Sequence, residues 1–168
     1  MKKKMSFFFI GAGLLVFLDQ ITKIIAESFL KGKNPFIVIK GILQMYYLEN
    51  HGAAWGMMQG AQIFFIILTF IVMGLVVFLT IRIPEKKRFY PLIVFTTLLF
   101  AGGIGNLIDR CAIGYVRDFI YFYGINFPVF NVADICVSAS VVLLAICLLF
   151  IYKDEDYKEL KNRRNNEK

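Results

Sequence analysis

The chain has 168 residues, 58% of them hydrophobic, and a mean hydropathy of +0.66. It is therefore too apolar for a soluble domain, whose apolar share is about 45–50%, and its length suits one domain over residues 1–168. The net charge of +7 does not indicate nucleic acid, because the basic residues cluster in short segments between apolar runs, as in membrane proteins. The cysteines Cys111, Cys136 and Cys147 lack the spacing of a metal site or a disulfide framework, so we expect packing roles.

The first predicted element is a membrane-spanning helix over about residues 6–26, long enough for a bilayer. A basic cap precedes it, as in a signal peptide, but no small-x-small cleavage site follows, so we expect it to be retained. Asp19 and Lys23 lie four residues apart on one helical face and can form an ion pair. Whether this pair is purely structural or supports a functional site stays open here.

Residues 27–60 differ in amino-acid composition from the first span. Asn34-Pro35 breaks the helix, and β-branched and aromatic runs on both sides of Lys40-Gly41, residues 36–39 and 42–48, predict a β-hairpin. The following segment, residues 50–56, is rich in small residues that let the backbone approach a ligand or a neighbouring helix. We expect its histidine, His51, to be an exposed loop residue.

Three further apolar runs predict membrane spans over residues 63–81, 89–107 and 135–152. The second and third spans are joined by a short charged turn, and residues 153–168 form a polar tail that we expect to fray. Basic residues concentrate in the N-terminal cap, this turn and the tail, so the positive-inside rule places all three in the cytoplasm. The outer segments, residues 27–60 and 109–131, then face outside together.

Polar residues of different spans are predicted to reach one depth. At a rise of 1.5 Å per residue, Asp19, Asn106 and Asp134 lie about 20, 24 and 26 Å from the inner ends of their helices. In a hydrocarbon core of about 30 Å, all three approach the outer boundary, where Asn50 can join them from above. Ionisable groups at membrane depth usually mark function, so the sequence predicts a site here.

The chemistry of this site follows from the residue types at hand. No serine has an evident base nearby, and the single histidine cannot complete a zinc ligand set. Two carboxylates remain, Asp118 and Asp134, and repulsion between paired carboxyls allows one to stay protonated while the other is ionised. Asn131 is typical of an N-cap, which would place Asp134 at the third helical position. Because the helix dipole favours an anion there, we expect Asp134 to be the more acidic member.

Five segments of the sequence resemble the lipoprotein signal peptidases (signal peptidase II), the membrane aspartyl proteases of bacteria. They are residues 18–23 (LDQITK), 50–56 (NHGAAWG), 105–110 (GNLIDR), 116–119 (VRDF) and 127–134 (FPVFNVAD). Their order and topology fit this family along nearly the whole chain. A small departure is Trp55, where the family often has Phe, and it leaves the catalytic positions untouched.

The resemblance implies a fold, an activity and a set of site residues. The fold would be a membrane α-helical protein with four transmembrane helices and a small extracytoplasmic β-hairpin or β-cradle. The catalytic dyad maps onto Asp118 and Asp134, with no metal and no cofactor. Residues with a substrate-binding or supporting role would be Asp19, Lys23, Asn50, Gly52, Asn106, Arg110 and Asn131.

The implied substrate is a diacylglyceryl-modified prolipoprotein, cut on the N-terminal side of its lipidated cysteine. Such an enzyme would be a multi-pass protein of the bacterial cell membrane, in contact with membrane lipid, with both termini cytoplasmic and its active site outside. We expect a monomer and no nucleic-acid partner.

Several of these residues also have a purely structural interpretation, and two other functions are compared with the peptidase. We expect Asp109 to be structural, and Arg110 either to bind substrate backbone or lipid or simply to neutralise Asp109. Gly52, Gly56 and the Gly102-Gly103 pair are more typical of helix packing than of ligand contact. A proton-coupled carrier would also hold intramembrane charges, but usually near the midplane and in repeated halves. A non-enzymatic scaffold subunit would need no close carboxyl pair.

Overall fold

A computed structural model describes residues 2–52 and 60–166, with side chains up to residue 160. The helices are α1 (Lys2–Leu30), α2 (Gln62–Arg82), α3 (Tyr90–Ile113), α4 (Val132–Ile146), which continues as a π-helical turn over Cys147–Ile151, and α5 (Asp154–Asn166). Four of the helical segments described are long and apolar enough to cross a membrane. The chain is therefore a multi-pass membrane protein, as the sequence predicted.

Helix α1 is longer than its predicted span at both ends, running through Lys2–Leu30. The buried Lys4 explains the inner extension, since its Nζ donates to the carbonyl oxygens of Ile81 at 2.8 Å and Ile83 at 2.6 Å. These carbonyls lie at the end of α2, where helices leave acceptors without intrahelical partners. A lysine from one helix thus stabilises the terminus of the next.

Helix α3 continues six residues past its predicted end at residue 107, to Ile113. The predicted membrane span left Asp109 in the outer segment, yet Asp109 lies within the helix and is fully buried. The helix ends at Gly114, whose φ of +80° is the left-handed conformation that glycine adopts at little cost. Polar residues therefore extend this helix into the outer segment.

The polar tail is helical instead of frayed, since α5 covers Asp154–Asn166. Ion pairs link it to the turn between α2 and α3, with Arg88 to Asp156 at 2.9 Å and Lys86 to Glu159 at 2.7 Å. Residues distant in sequence thus order a segment that local composition alone would leave mobile.

The outer segments fold into one antiparallel sheet of three strands, in the order β1 (Phe36–Ile39), β2 (Leu43–Asn50) and β3 (Val116–Tyr121). The predicted hairpin of β1 and β2 is confirmed, with Gly41 at φ +80° in its turn. Strand β3 comes from the second outer segment and pairs with β2, placing Leu48 opposite Asp118. The sheet thereby brings the ends of both outer segments to one place.

Helix α3 lies at the centre of the bundle, in contact with α1, α2 and α4. Two of the three free cysteines, Cys136 and Cys147, are buried as predicted for packing roles, whereas Cys111 is exposed. Small residues bring α3 close to α4: a Cβ added to Gly102 would lie 2.5 Å from the carbonyl oxygen of Ala133. The packing prediction for Gly102 is consistent with this close approach.

We expect Gly102→Ala to destabilise the protein by about 1–3 kcal/mol, the usual cost of overpacking. The added methyl would meet the Ala133 carbonyl and the side chain of Val137, which lies 2.6 Å from the same Cβ position. Thermal unfolding in detergent measures the effect. Gly74→Ala is the matched control, since a Cβ there meets nothing within 4 Å. Equal melting temperatures for both variants would contradict the close packing.

Candidate active site

Asp118 and Asp134 are brought together by Asn131. Its side-chain Nδ2 donates to Asp118 Oδ1 at 2.6 Å, and its backbone N–H donates to Asp134 Oδ2 at 3.1 Å. Its Oδ1 in turn accepts from the backbone N–H of Asp134 at 3.0 Å, completing a capping box at the start of α4. The predicted N-cap is confirmed, with Asp134 at the third helical position. One asparagine therefore holds both carboxyl groups.

Two further asparagines complete the hydrogen bonding of the pair. Asn50, at the end of β2, donates to Asp118 Oδ2 at 2.9 Å, and Asn106 of α3 donates to Asp134 Oδ1 at 2.8 Å. Among the residues described, each of the four carboxyl oxygens thus accepts one hydrogen bond. Asn106 of α3 and Asp134 of α4 therefore lie at one level, as the helical rise predicted, and Asn50 of β2 and Asp118 of β3 join them.

Asp118, on strand β3, has a raised pKa, and the main cause is burial of its side chain. Its removal from water and the neighbouring Asp134 carboxyl raise its pKa to about 7, although hydrogen bonds from Asn50 and Asn131 act in the opposite direction. A carboxyl with this pKa is partly protonated at neutral pH. The site can therefore hold a proton donor beside a second carboxyl.

This raised pKa predicts a pH-dependent gain in stability for Asp118→Asn. Between the ordinary value of 3.8 and about 7, native Asp118 keeps a proton that the unfolded chain has lost, so wild-type stability falls as pH rises. Above the raised pKa, the full loss of wild-type stability is on the order of 4 kcal/mol. An amide cannot ionise, so the variant lacks this slope.

The melting temperatures of wild type and Asp118→Asn, followed from about pH 4 to about pH 8, measure this difference. Because the new amide leaves one neighbouring asparagine donor unpaired, the variant also carries a constant penalty, which the slope excludes. Parallel melting curves for the two proteins across this range would refute the raised pKa.

Asp19 and Lys23 of α1 lie directly behind the pair and are both buried. The Asp19 carboxylate accepts from the backbone N–H of Ala133 at 2.8 Å, in the first turn of α4, and pairs with Lys23 at 2.9 Å. Gly105 makes room for this, since a Cβ there would lie 2.6 Å from Asp19 Oδ2. The pair that the sequence left open therefore contacts the helix turn that carries Asp134.

Asp109 is structural by its contacts, but its partner is Arg117 and not Arg110. The Arg117 guanidinium donates to both carboxylate oxygens, at 2.7 and 3.2 Å, and its backbone N–H donates to Oδ2 at 2.9 Å. Arg117 was missed as a site residue. The strand-like sequence around Arg117 could have indicated this role. Neighbouring side chains on a strand point to opposite faces, so Arg117 of β3 faces α3 while Asp118 faces the other side.

Arg110 points elsewhere and does not neutralise Asp109. Its Nη2 donates to the carbonyl oxygen of Gly52 at 3.3 Å, and its guanidinium lies 5.1 Å from the ring centre of Phe65. Its buried Nε has no hydrogen-bond partner among the residues described. This leaves a desolvated donor beside the carboxyl pair.

A cavity of about 630 Å³ opens in front of the two carboxyl groups. Its polar wall is formed by residues of the site, namely Asn50, Gly52, Asn106, Arg110, Asp118 and Asp134. Residues 127–130 and the face of α4 that carries Ser138 and Val142 supply an apolar wall. The predicted site residues are thus divided: Asp19, Lys23 and Asn131 stand behind the carboxyls, and the others face the cavity.

The segment after Asn50 is described only in part. Gly52 lines the cavity, and its N–H donates to Asn50 Oδ1 at 3.0 Å, which orients that amide. His51 is exposed as predicted, with its ring 5.4 Å from that of Tyr115. The packing role predicted for Gly56, and the position of Trp55, lie outside the described residues.

These features define a class of protein, a multi-pass membrane protein with a buried acid–base site that opens into a largely apolar cavity. Comparison with known proteins identifies the family within this class. Residues 11–150 match the family model described as signal peptidase (SPase) II. The chain belongs to this family, which is a family of proteases.

Individual relatives are similar to this chain along nearly its full length. Lipoprotein signal peptidases of Streptococcus pyogenes serotypes M5 (strain Manfredo) and M18 (strain MGAS8232) are each 39% identical over 159 residues, 94% of this chain and 99% of theirs. A solved bacterial membrane enzyme, determined by the in meso method at 2.3 Å, has a TM-score of 0.78 and 37% identity, covering 86% of this chain and 88% of that one. The fold expectation is therefore confirmed.

Proposed function

We propose that this chain is an aspartyl endopeptidase that removes the signal peptide from diacylglyceryl-modified prolipoproteins, cutting N-terminal to the lipidated cysteine. The observation that carries the proposal is the arrangement of Asp118 and Asp134 around Asn131, at the end of an apolar cavity. The similar streptococcal proteins are named lipoprotein signal peptidases, which supports this substrate class.

The geometry supports a mechanism in which the two carboxyls share one proton. Asp134, at the positive end of the α4 dipole, acts as the base and takes a proton from water as the water oxygen attacks the scissile carbonyl carbon. Asp118, which burial keeps partly protonated near neutral pH, donates its hydrogen to the carbonyl oxygen. Collapse of the tetrahedral diol breaks the C–N bond as Asp134 gives its proton to the leaving amine. Asp118 takes back a proton from one hydroxyl as that oxygen becomes the carbonyl oxygen of the new carboxyl group.

Arg110 is proposed to bind the substrate backbone beside the scissile bond. Its Nε lacks a partner among the described residues and it lies in the cavity wall with both aspartates. A substrate carbonyl placed there would satisfy this buried donor. Loss of the guanidinium would then weaken substrate positioning more than it would change the chemistry of the carboxyls.

The apolar surroundings of the site suit a lipidated substrate that arrives sideways through the membrane. Strand β1 exposes every one of its side chains, including Phe36 at 64%, although each is apolar. Exposed apolar surface of this kind is typical of contact with lipid or with an apolar partner. We propose that the hairpin and the aromatic run Tyr121–Phe130 form a cradle over the substrate while its acyl chains stay in the outer leaflet.

We also propose that the enzyme is a monomer in the bacterial cell membrane, with both termini in the cytoplasm. Basic residues of the N-terminus, of the turn after α2 and of α5 place these three segments in the cytoplasm by the positive-inside rule. The sheet and the carboxyl pair then face outside, where diacylglyceryl-modified precursors present their cleavage sites.

The test is cleavage by purified protein of two precursors that differ only in the diacylglyceryl group. We expect efficient cleavage of the lipidated precursor and little of the unmodified one, because the apolar walls of the site recognise the acyl chains. Equal rates on both would contradict the proposed substrate. Solute uptake by proteoliposomes without any peptide cleavage would favour a carrier instead.

A further inference from the structure

Lys23 is a charged side chain that does not reach the cavity, yet it is completely buried. Its Nζ contacts Asp19 at 2.9 Å, Asn106 Oδ1 at 2.9 Å, the carbonyl oxygen of Gly105 at 3.3 Å and Asp109 at 3.5 Å. Burying an ammonium group costs several kcal/mol even after relaxation. A structural ion pair with Asp19 alone would not require the contact with Asn106.

Asn106 connects this lysine to the carboxyl pair. Its Oδ1 accepts from Lys23 at 2.9 Å and from Asn131 Nδ2 at 3.1 Å, and its Nδ2 donates to Asp134 Oδ1 at 2.8 Å. An amide has one acceptor end and one donor end, so the lysine at the oxygen fixes the NH₂ group toward Asp134. The same positive charge polarises the amide and strengthens its hydrogen bond to the carboxylate.

We propose that Lys23 is a positioning residue for catalysis, which orients and polarises the Asn106 amide so that Asp134 is held as the ionised member of the pair. This inference rests on the proposed aspartyl mechanism. Without Lys23, the Asn106 oxygen would be held only by Asn131, whose NH₂ group is also used by Asp118. Asn106 could then turn its oxygen toward Asp134, an arrangement that favours a protonated carboxyl.

Charged groups around the pair come from helices α1 and α3 and from strand β3. Helix α1 supplies Lys23 and Asp19, α3 supplies Arg110 and Asp109, and Arg117 of β3 pairs with Asp109 on the side away from the cavity. Lys23 and Arg110 are the cations that face the two carboxyls, but Arg110 bonds Gly52 and not an asparagine of the site. Among the residues described, Lys23 is thus the cation linked to Asp134 through one amide.

The test is the pH profile of cleavage of the diacylated precursor by Lys23→Met and Lys23→Met/Asp19→Asn. Removing a nearby positive charge favours protonated carboxyls, so we expect the Lys23→Met profile to move to higher pH by about one unit. The kcat should fall by up to ~100-fold with little change in KM, since misplaced catalytic groups affect the reaction step.

The double variant separates the proposed contact from a simple charge effect. It removes one positive and one negative charge, so the net charge near the pair is unchanged. It also leaves no unpaired Asp19 carboxylate, so the contact can be tested even if Lys23→Met fails to fold. We expect a smaller shift in the same direction, because the Asn106 contact is still lost. Lys31→Met, which removes an exposed lysine of the outer surface, should match the wild type.

A folded double variant with the wild-type pH profile would overturn the role of Lys23 at Asn106, and so would an unshifted, folded Lys23→Met. Both outcomes leave the proposed function intact if the wild type cleaves and Asp118→Asn does not. Failure of the wild type to cleave the diacylated precursor would instead refute the proposed function itself.

Discussion

Asp118→Asn and Asp134→Asn are each expected to reduce cleavage of a diacylated precursor by about 10,000-fold, the upper range for loss of a general acid or base. An amide at position 118 cannot give a proton to the scissile carbonyl, and an amide at position 134 cannot take one from water. Both variants keep the shape of the carboxyl group. Initial rates at several pH values, with purified protein in detergent, measure the effect.

The matched control is Asp154→Asn, which makes the same chemical change at an exposed position of α5. We expect its rate to equal that of the wild type. Circular dichroism and thermal unfolding would show that the two site variants remain folded. Substantial cleavage by both folded variants would refute the aspartyl mechanism, whereas loss in only one would leave a single carboxyl as the reactive group.

Asp109→Leu is expected to destabilise the protein by about 3–5 kcal/mol, the usual cost of removing one partner of a buried ion pair. The carboxylate is fully buried and accepts three hydrogen bonds from Arg117, one of them from the backbone. Its loss would leave the guanidinium of Arg117 without its main partner, next to the strand residue Asp118. Thermal and denaturant unfolding in detergent measure this change.

The double variant Asp109→Leu/Arg117→Met distinguishes a stranded charge from a general packing defect. Replacing both partners with apolar side chains removes the uncompensated charge, so we expect it to be more stable than Asp109→Leu alone. Lys86→Met breaks the exposed pair with Glu159 and should cost at most about 1 kcal/mol. Equal losses for the buried and the exposed pair would contradict this account.

The spans, the hairpin and the position of the carboxyl pair could be predicted because each rests on a local pattern. Apolar length and basic flanks define the helices, and β-branched and aromatic runs on both sides of Gly41 define the hairpin. Asn131 followed three residues later by Asp134 is a local N-cap pattern, and the capping box agrees with it. Helical rise then places Asp19, Asn106 and Asp134 at one depth without any tertiary contact.

The errors arose where distant residues decide the local structure. The end of α3 was placed too early because Asp109 and Arg110 are polar, yet Asp109 is compensated by Arg117 from a strand whose pairing is not local. Helix α5 depends on ion pairs to another turn of the chain. Which arginine pairs with Asp109 follows from the opposite faces of β3, and this requires knowing that the strand joins the sheet.

The structure brings together Asp118, Asp134 and three asparagines, and family membership makes the chain a signal peptidase. The proposed cut beside a lipidated cysteine rests on the apolar cavity and on the similarity to lipoprotein signal peptidases. Chemical identification of the product tests this proposal.

The most direct measurement is the intact mass of the products from a diacylglyceryl-modified precursor, with wild type and Asp118→Asn side by side. We expect wild type to release the whole signal peptide and to leave a protein that begins with the lipidated cysteine, while Asp118→Asn leaves the precursor uncut. A cut at another bond, or the same products from the folded variant, would contradict the proposed function.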